Sequence, residues 1–341
     1  MFLNIVITIV GAALVLFGAN SLTDGSVALA RRFGITELVI GLTVVAMGTS
    51  LPEFIVSFMA SIGGSAAMGI GNVVGSNAFN TLMIVGVTAT VAPIAVGRAT
   101  VAKDIPFSLL ASVVLAALAL DTLLTPGSEA DMLSRGDGIA LLGFFAVFMA
   151  YTFAIARSGN ADAPQPNAAA THAATPTAAA DEAAAAPATA AATAMPLWRV
   201  VIYIVAGLAG LIAGGELFVR GASGLARGFG VSEAVIGLTL VAGGTSLPEL
   251  ATSVVAARKG QSALAIGNVI GSNLFNIFWI LGLCSVVTPM PVAGITATDM
   301  AVLIGSGIVF WLFARTKHTI VRWEGAVMAA AYVAYVASLI A

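Results

Sequence analysis

Residues 33–54 read FGITELVIGLTVVAMGTSLPEF, and residues 229–250 read FGVSEAVIGLTLVAGGTSLPEL. The offset is 196 throughout, and 16 of the 22 positions are identical. A second pair keeps that offset: GNVVGSNAFN at 71–80 and GNVIGSNLFN at 267–276. The chain is therefore two copies of one unit. Its best-matched stretches are polar residues set in apolar surroundings. Duplicated polar segments of this kind point to an ion pathway built from two halves.

Composition fixes the medium. Of 341 residues, 59% are hydrophobic and 9% charged, and the mean hydropathy is +1.04. That is too little charge to cover a water-soluble surface. Apolar runs of about 20 residues recur, long enough to cross a bilayer as helices. The formal net charge of −2 says little about partners, and no nucleic acid is expected among them. The single cysteine, Cys284, excludes an internal disulfide and reads as a small buried hydrophobe. The opening MFLNIVITIVGAALVLFG lacks the basic start of a signal peptide. Its Gly11, Gly18 and Gly25 recur as Gly207, Gly214 and Gly221, so it is read as the first membrane helix of the repeat.

The expected fold is all-α, with ten transmembrane helices. The spans fall near 2–30, 36–60, 65–91, 103–121 and 137–157, then 198–227, 232–257, 262–287, 298–314 and 323–340. The fifth pair opens on Arg135-Gly-Asp-Gly138 and Arg322-Trp-Glu-Gly325, now at an offset of 187. The nine lost residues fall in the preceding loop, which is long only in the first half. An odd number of spans per copy inverts the second copy relative to the first. Loop charge agrees: eleven of the 14 Lys and Arg fall on one side, and only Arg135, Arg220 and Arg227 on the other. The positive-inside rule then puts both termini outside and the centre of the chain in the cytoplasm. The expected units are residues 1–157, a disordered Ala/Thr/Pro-rich linker at 158–197, and residues 198–341. His172 in that linker reads as a solvated residue.

Glu53 and Glu249 lie mid-span in identical GTSLPE contexts. A carboxylate at that depth costs at least about 2.5–3.5 kcal/mol and needs a partner or a function. Pro52 and Pro248 precede them and are expected to free the carbonyls of Gly48 and Gly244. Thr49 and Thr245, one turn earlier, share the glutamate face. Carboxylate, hydroxyl and carbonyl oxygens are hard donors, suited to Ca²⁺ and Na⁺. Asn72, Ser76 and Asn80 form an i, i+4, i+8 stripe, repeated by Asn268, Ser272 and Asn276. Ser76, Asn80 and their copies read as ion-coordinating. Asn72, Asn77, Asn268 and Asn273 read equally as ligands or as helix-packing groups. Gly71, Gly75, Gly267 and Gly271 form small-xxx-small faces. Glu37 and Glu233, following Thr36 and Ser232, read as acids at capped helix starts.

These paired motifs resemble the calcium:cation antiporter family, in particular the sodium/calcium exchanger branch and its bacterial members. The resemblance covers both halves and excludes the linker. It implies two inverted five-helix repeats, ion sites at the midplane and a multi-pass protein of the bacterial inner membrane. It implies no enzyme activity, no cofactor and no obligatory protein partner beyond the lipid bilayer, with Ca²⁺ and Na⁺ as the transported ions and H⁺ as a competitor. Carried over by motif, the metal-binding set is Glu53 and Glu249, the oxygens of Thr49 and Thr245, the carbonyls of Ala46 and Ala242, Ser76 and Ser272, and the central Asn80 and Asn276. Some relatives carry Asp at the position of Asn276, and the Asn here argues against potassium co-transport. The expected activity is export of Ca²⁺ in exchange for Na⁺ by alternating access. A Ca²⁺/H⁺ antiporter using the same glutamates is the first alternative, and a cation channel the second. An intramembrane hydrolase lacks a His or Lys base near its serines.

Overall fold

A computed structural model describes residues 1–124, 130–158, 195–230 and 243–340. Most of the linker, Ser232, Glu233, Ala242 and the first part of the expected seventh span lie outside the described residues.

Among the described residues the regular structure is helical apart from four two-residue strands. In chain order the long helices are α1 (Phe2–Phe33), α2 (Glu37–Thr49), α3 (Leu51–Ile62), α4 (Ala66–Val91), α5 (Thr100–Ala119) and α6 (Arg135–Ser158). They continue as α7 (Leu197–Gly228), α8 (Leu247–Arg258), α9 (Ser262–Val287), α10 (Ala297–Lys317) and α11 (Arg322–Ile340). Among the described residues, seven helices are long and apolar enough to cross a membrane: α1, α4, α5, α6, α7, α9 and α10. The pair α2 and α3 passes the same test together, bent by 48°. The chain is an integral, multi-pass membrane protein.

α9 and α4 form the centre. The share of the apolar window buried is 83% in α9 and 67% in α4, but only 22% in α1 and 17% in α6. The outer helices turn most of their surface to lipid, where nothing drives them together by hydrophobicity, so close backbone packing has to hold them. Glycines supply it. A Cβ on Gly18 would lie 2.6 Å from the Leu211 nitrogen, and one on Gly207 would lie 2.6 Å from that of Leu22. Gly11 meets Gly214 and Phe218, and Gly221 meets Thr8 and Asn4, so α1 and α7 run antiparallel. α1 ends where Gly34 takes a left-handed φ of 64°, which lets its N–H reach back to Ala30 and Arg31.

Contacts come in exchanged pairs. Strand β1 (Ile94–Ala95) pairs antiparallel with β4 (Thr319–Ile320), and β2 (Met132–Leu133) with β3 (Met290–Pro291). Ile94 faces Ile320, and Leu133 faces Met290. Residue 290 is 94 plus 196, and 320 is 133 plus 187, so one ladder is the other with the sequence copies swapped.

Some boundaries differ from the expected spans. α5 begins at Thr100 because a widened π turn, Thr100–Asp104, precedes Pro106. α10 runs on to Lys317, where His318 takes a left-handed φ of 52°. Further π turns occur at Gly41–Val45, Phe79–Ile84 and Phe275–Leu281. Such turns are uncommon and concentrate at functional sites.

Candidate cation site

The break between α2 and α3 organises the site. Ser50 has φ −83° and ψ 10°, and Ser246 at the start of α8 has φ −90° and ψ 8°. Pro52 and Pro248 fall in the first turn of the helix that follows, where a missing N–H costs nothing. This revises the expectation of a mid-helix proline freeing the carbonyl four residues back. The Gly244 carbonyl instead accepts from Leu247 N at 3.3 Å. The break puts Glu53 and Glu249 in the first turns of α3 and α8, at the end of the helix dipole that favours a negative charge.

The two glutamates are buried, at 1% and 0% exposure. Each is held from the other half of the chain. Ser246 Oγ donates to Glu53 Oε1 at 2.7 Å, and Ser50 Oγ donates to Glu249 Oε1 at 2.8 Å. Thr49 and Thr245 directly precede the two serines. Ser246 Oγ also lies 3.3 Å from Ser76 Oγ, which brings α4 to the same point.

Asparagines brace the glutamate helices. Asn72 Nδ2 donates to the Glu53 carbonyl at 3.3 Å and to Ser57 Oγ at 2.9 Å. Asn268 repeats this on the Glu249 carbonyl at 3.3 Å and Ser253 Oγ at 3.0 Å. Thr49 Oγ1 bonds the Val45 carbonyl at 3.0 Å and lies 3.1 Å from Asn268 Oδ1. The Ala46 carbonyl sits at the same break and accepts from Ser50 N at 3.0 Å. Asn72 and Asn268 thus perform the packing role that was one of their two readings. Gly267 and Gly271 make the close approach expected of them: added Cβ atoms would come within 2.7 Å of the Leu38 and Leu42 carbonyls. Gly71 and Gly75 make no such contact among the described residues.

Asn80 and Asn276 lie in the π turns of α4 and α9, one helical turn beyond Ser76 and Ser272. Asn80 Nδ2 donates to Asn273 Oδ1 at 3.2 Å, and Asn276 Nδ2 donates to Asn77 Oδ1 at 3.0 Å. Among the described residues, five buried oxygens of the expected set have no hydrogen-bond partner: Glu53 Oε2, Glu249 Oε2, Asn80 Oδ1, Asn276 Oδ1 and Ser272 Oγ. A buried acceptor left unpaired costs about 1–3 kcal/mol, more when charged. Carboxylate, amide and hydroxyl oxygens are the donor types that a hard cation takes. No trio of His, Cys, Asp or Glu placed to hold a metal occurs among the described residues.

Sequence reasoning missed Ser50 and Ser246 as partners of the glutamates. The signal was present: SLPE at 50–53 and 246–249 has the S-x-x-E form of a helix start. Neither serine caps its own helix, and both hydroxyls cross to the opposite glutamate. Glu37 sits as expected at a start capped by Thr36, and its carboxylate meets the Gln261 amide.

Comparisons with known proteins agree with this geometry. The sodium/calcium exchanger protein family matches residues 3–154 and 199–341. Sodium/calcium exchanger MaX1 of Methanosarcina acetivorans is 34% identical over 348 residues, covering 98% of each chain. Inner membrane protein YrbG of Escherichia coli K12 is 34% identical over 341 residues, covering 99% of this chain and 97% of that one. The solved sodium-calcium exchanger NCX_Mj superposes with a TM-score of 0.77 at 32% identity, covering 99% of both chains. On duplicated motif, fold and full-length similarity together, the chain belongs to the sodium/calcium exchanger family.

Proposed function

We propose that the protein is a secondary active antiporter that moves Ca²⁺ out of the cytoplasm in exchange for Na⁺ flowing in. Family membership makes it a cation/Ca²⁺ exchanger; the choice of Na⁺ rests on the donor set. The observation that carries the reading is the pair of cross-held carboxylates, each with one oxygen on a serine and one unpaired. Glu53 and Glu249 together balance the charge of one Ca²⁺. Thr49, Thr245, Ser76, Ser272, Asn80, Asn276 and the carbonyls of Ala46 and Ala242 supply neutral oxygens. Several Na⁺ ions use the same oxygens, but not alongside Ca²⁺. If only loaded forms change access, mutually exclusive occupancy makes exchange obligatory.

The same proposal takes the chain as ten membrane helices in two inverted five-helix repeats, residues 1–157 and 198–341, joined by a cytoplasmic linker at 158–197 with both termini outside. The swapped strand ladders, the antiparallel α1 and α7 and the one-sided Lys and Arg support it. Inverted pairs of broken helices suit alternating access around a fixed site. The bacterial inner membrane is the proposed location.

Ca²⁺ flux in proteoliposomes under imposed gradients tests the coupling. Hydroxyl, amide and carbonyl oxygens coordinate Na⁺ but hold no proton at neutral pH, so a Na⁺ gradient is expected to drive Ca²⁺ movement without K⁺. Flux that follows a pH gradient in sodium-free buffer and ignores Na⁺ would make the protein a Ca²⁺/H⁺ antiporter instead.

A further inference from the structure

We propose that Asn77 and Asn273 are positioning residues that decide which end of the Asn276 and Asn80 amides faces the ion. The inference rests on the cation-site reading above. An asparagine amide has an oxygen and an NH₂ of nearly equal size. Turned one way it offers a ligand to a cation, and turned the other way it offers the positive end of its dipole. Something must choose between the two.

The choice is relayed from the backbone. Asn77 Nδ2 donates to the Asn273 main-chain carbonyl at 3.1 Å. A carbonyl only accepts, so this bond fixes where the Asn77 NH₂ lies and turns its oxygen the other way. That oxygen accepts from Asn276 Nδ2 at 3.0 Å. With its NH₂ so engaged, Asn276 keeps Oδ1 unpaired. The mirror relay runs from Thr81. Asn273 Nδ2 bonds Thr81 Oγ1 at 2.9 Å, Asn273 Oδ1 accepts from Asn80 Nδ2 at 3.2 Å, and Asn80 Oδ1 is unpaired. All four asparagines are buried, Asn273 being the most exposed at 6%. Flipping Asn77 or Asn273 would set NH₂ against NH₂, and flipping Asn80 or Asn276 would set oxygen against oxygen, with no solvent to compensate. The Asn77 relay is the stricter, because its anchor is a carbonyl, whereas a threonine hydroxyl can donate or accept.

The test is equilibrium ⁴⁵Ca²⁺ binding to the purified full-length protein, with thermal unfolding in Ca²⁺-free buffer as the check on folding. Asn77→Leu and the smaller Asn77→Ala both remove the acceptor and are expected to weaken Ca²⁺ affinity by about tenfold or more, as for loss of one oriented polar ligand. In an Asn276→Asp background the same changes are expected to cost less than about twofold, because a carboxylate has oxygens at both ends and nothing to orient. Asn273→Ala with Asn80→Asp should give the mirror result. Wild-type affinity in folded Asn77→Ala overturns the proposal. So does a loss that persists undiminished in the Asn276→Asp background, since that would be a packing defect. Failure of the cation-site reading looks different: Glu53→Gln would then also bind Ca²⁺ like the wild type.

Discussion

A carboxylate that faces a divalent ion in a water-poor site matters through its charge more than its shape. Glutamine keeps the shape of Glu53 or Glu249 and can still accept the serine hydroxyl from the opposite half. Loss of one of two charges in a low-dielectric site costs several kcal/mol. Glu53→Gln and Glu249→Gln are therefore each expected to cut Ca²⁺ flux by roughly a hundredfold or more, with the protein still folded. Ser50→Ala and Ser246→Ala remove one charge-assisted hydrogen bond each, worth about 1.5–3 kcal/mol, and should be intermediate. Glu37→Gln should be mild, because that side chain meets Gln261 at a helix start and touches neither glutamate of the site. Initial rates of ⁴⁵Ca²⁺ flux rank the set; wild-type rates in both glutamate variants would sink the site assignment. The glutamates were legible in sequence because charge at membrane depth is rare and theirs was duplicated in context. The crossing serine bonds were not, because an S-x-x-E pattern announces a helix start without saying where the hydroxyl goes.

Helices in this protein are held by backbone proximity, so a single methyl group can be too large. Gly18 and Gly207 face each other's helix with less than 3 Å of room for a Cβ. Gly18→Val or Gly207→Val is expected to destabilise the α1–α7 pair by about 1–3 kcal/mol, as overpacking does. Gly143→Ala is the control, because nothing lies within 4 Å of its added Cβ. Thermal unfolding in detergent checks both, and an unshifted midpoint for the valine variants would mean the seam is looser than drawn. Gly11, Gly18 and Gly25 recur in the sequence as Gly207, Gly214 and Gly221, which marked the repeat but did not say that the two helices meet. The π turns that carry Asn80 and Asn276 did not announce themselves, since no residue type demands one. The proline before each glutamate was legible as a break but not as a helix start, because both readings remove the same N–H.

For the whole molecule, the proposed orientation makes residues 158–196 open to protease from the cytoplasmic face alone. Cleavage there in inside-out vesicles but not in intact cells is the expected result, and the reverse would invert the topology. Protons compete with Ca²⁺ for both carboxylates, and a protonated carboxyl no longer balances the ion's charge. Apparent Ca²⁺ affinity should therefore fall as pH falls, and recover as pH rises; affinity independent of pH from 5 to 8, the range in which such sites commonly titrate, would argue that the glutamates do not bind the ion. Pairing of distant segments was legible through the duplication itself, whereas the meeting of residues 94–95 with 319–320 depended on loops that sequence leaves open. The crossed serine bonds also bear on how the protein is made. Ser246 follows Glu53 by 193 residues. When the ribosome has delivered the first five expected spans, Glu53 is already in or near the bilayer and its hydroxyl partner has not been synthesised. The nascent half must keep that carboxylate wet, neutral or shielded until its counterpart arrives. Arrest of translation in the linker should thus leave an inserted but unstable fragment, recognised by membrane proteases as orphaned cargo.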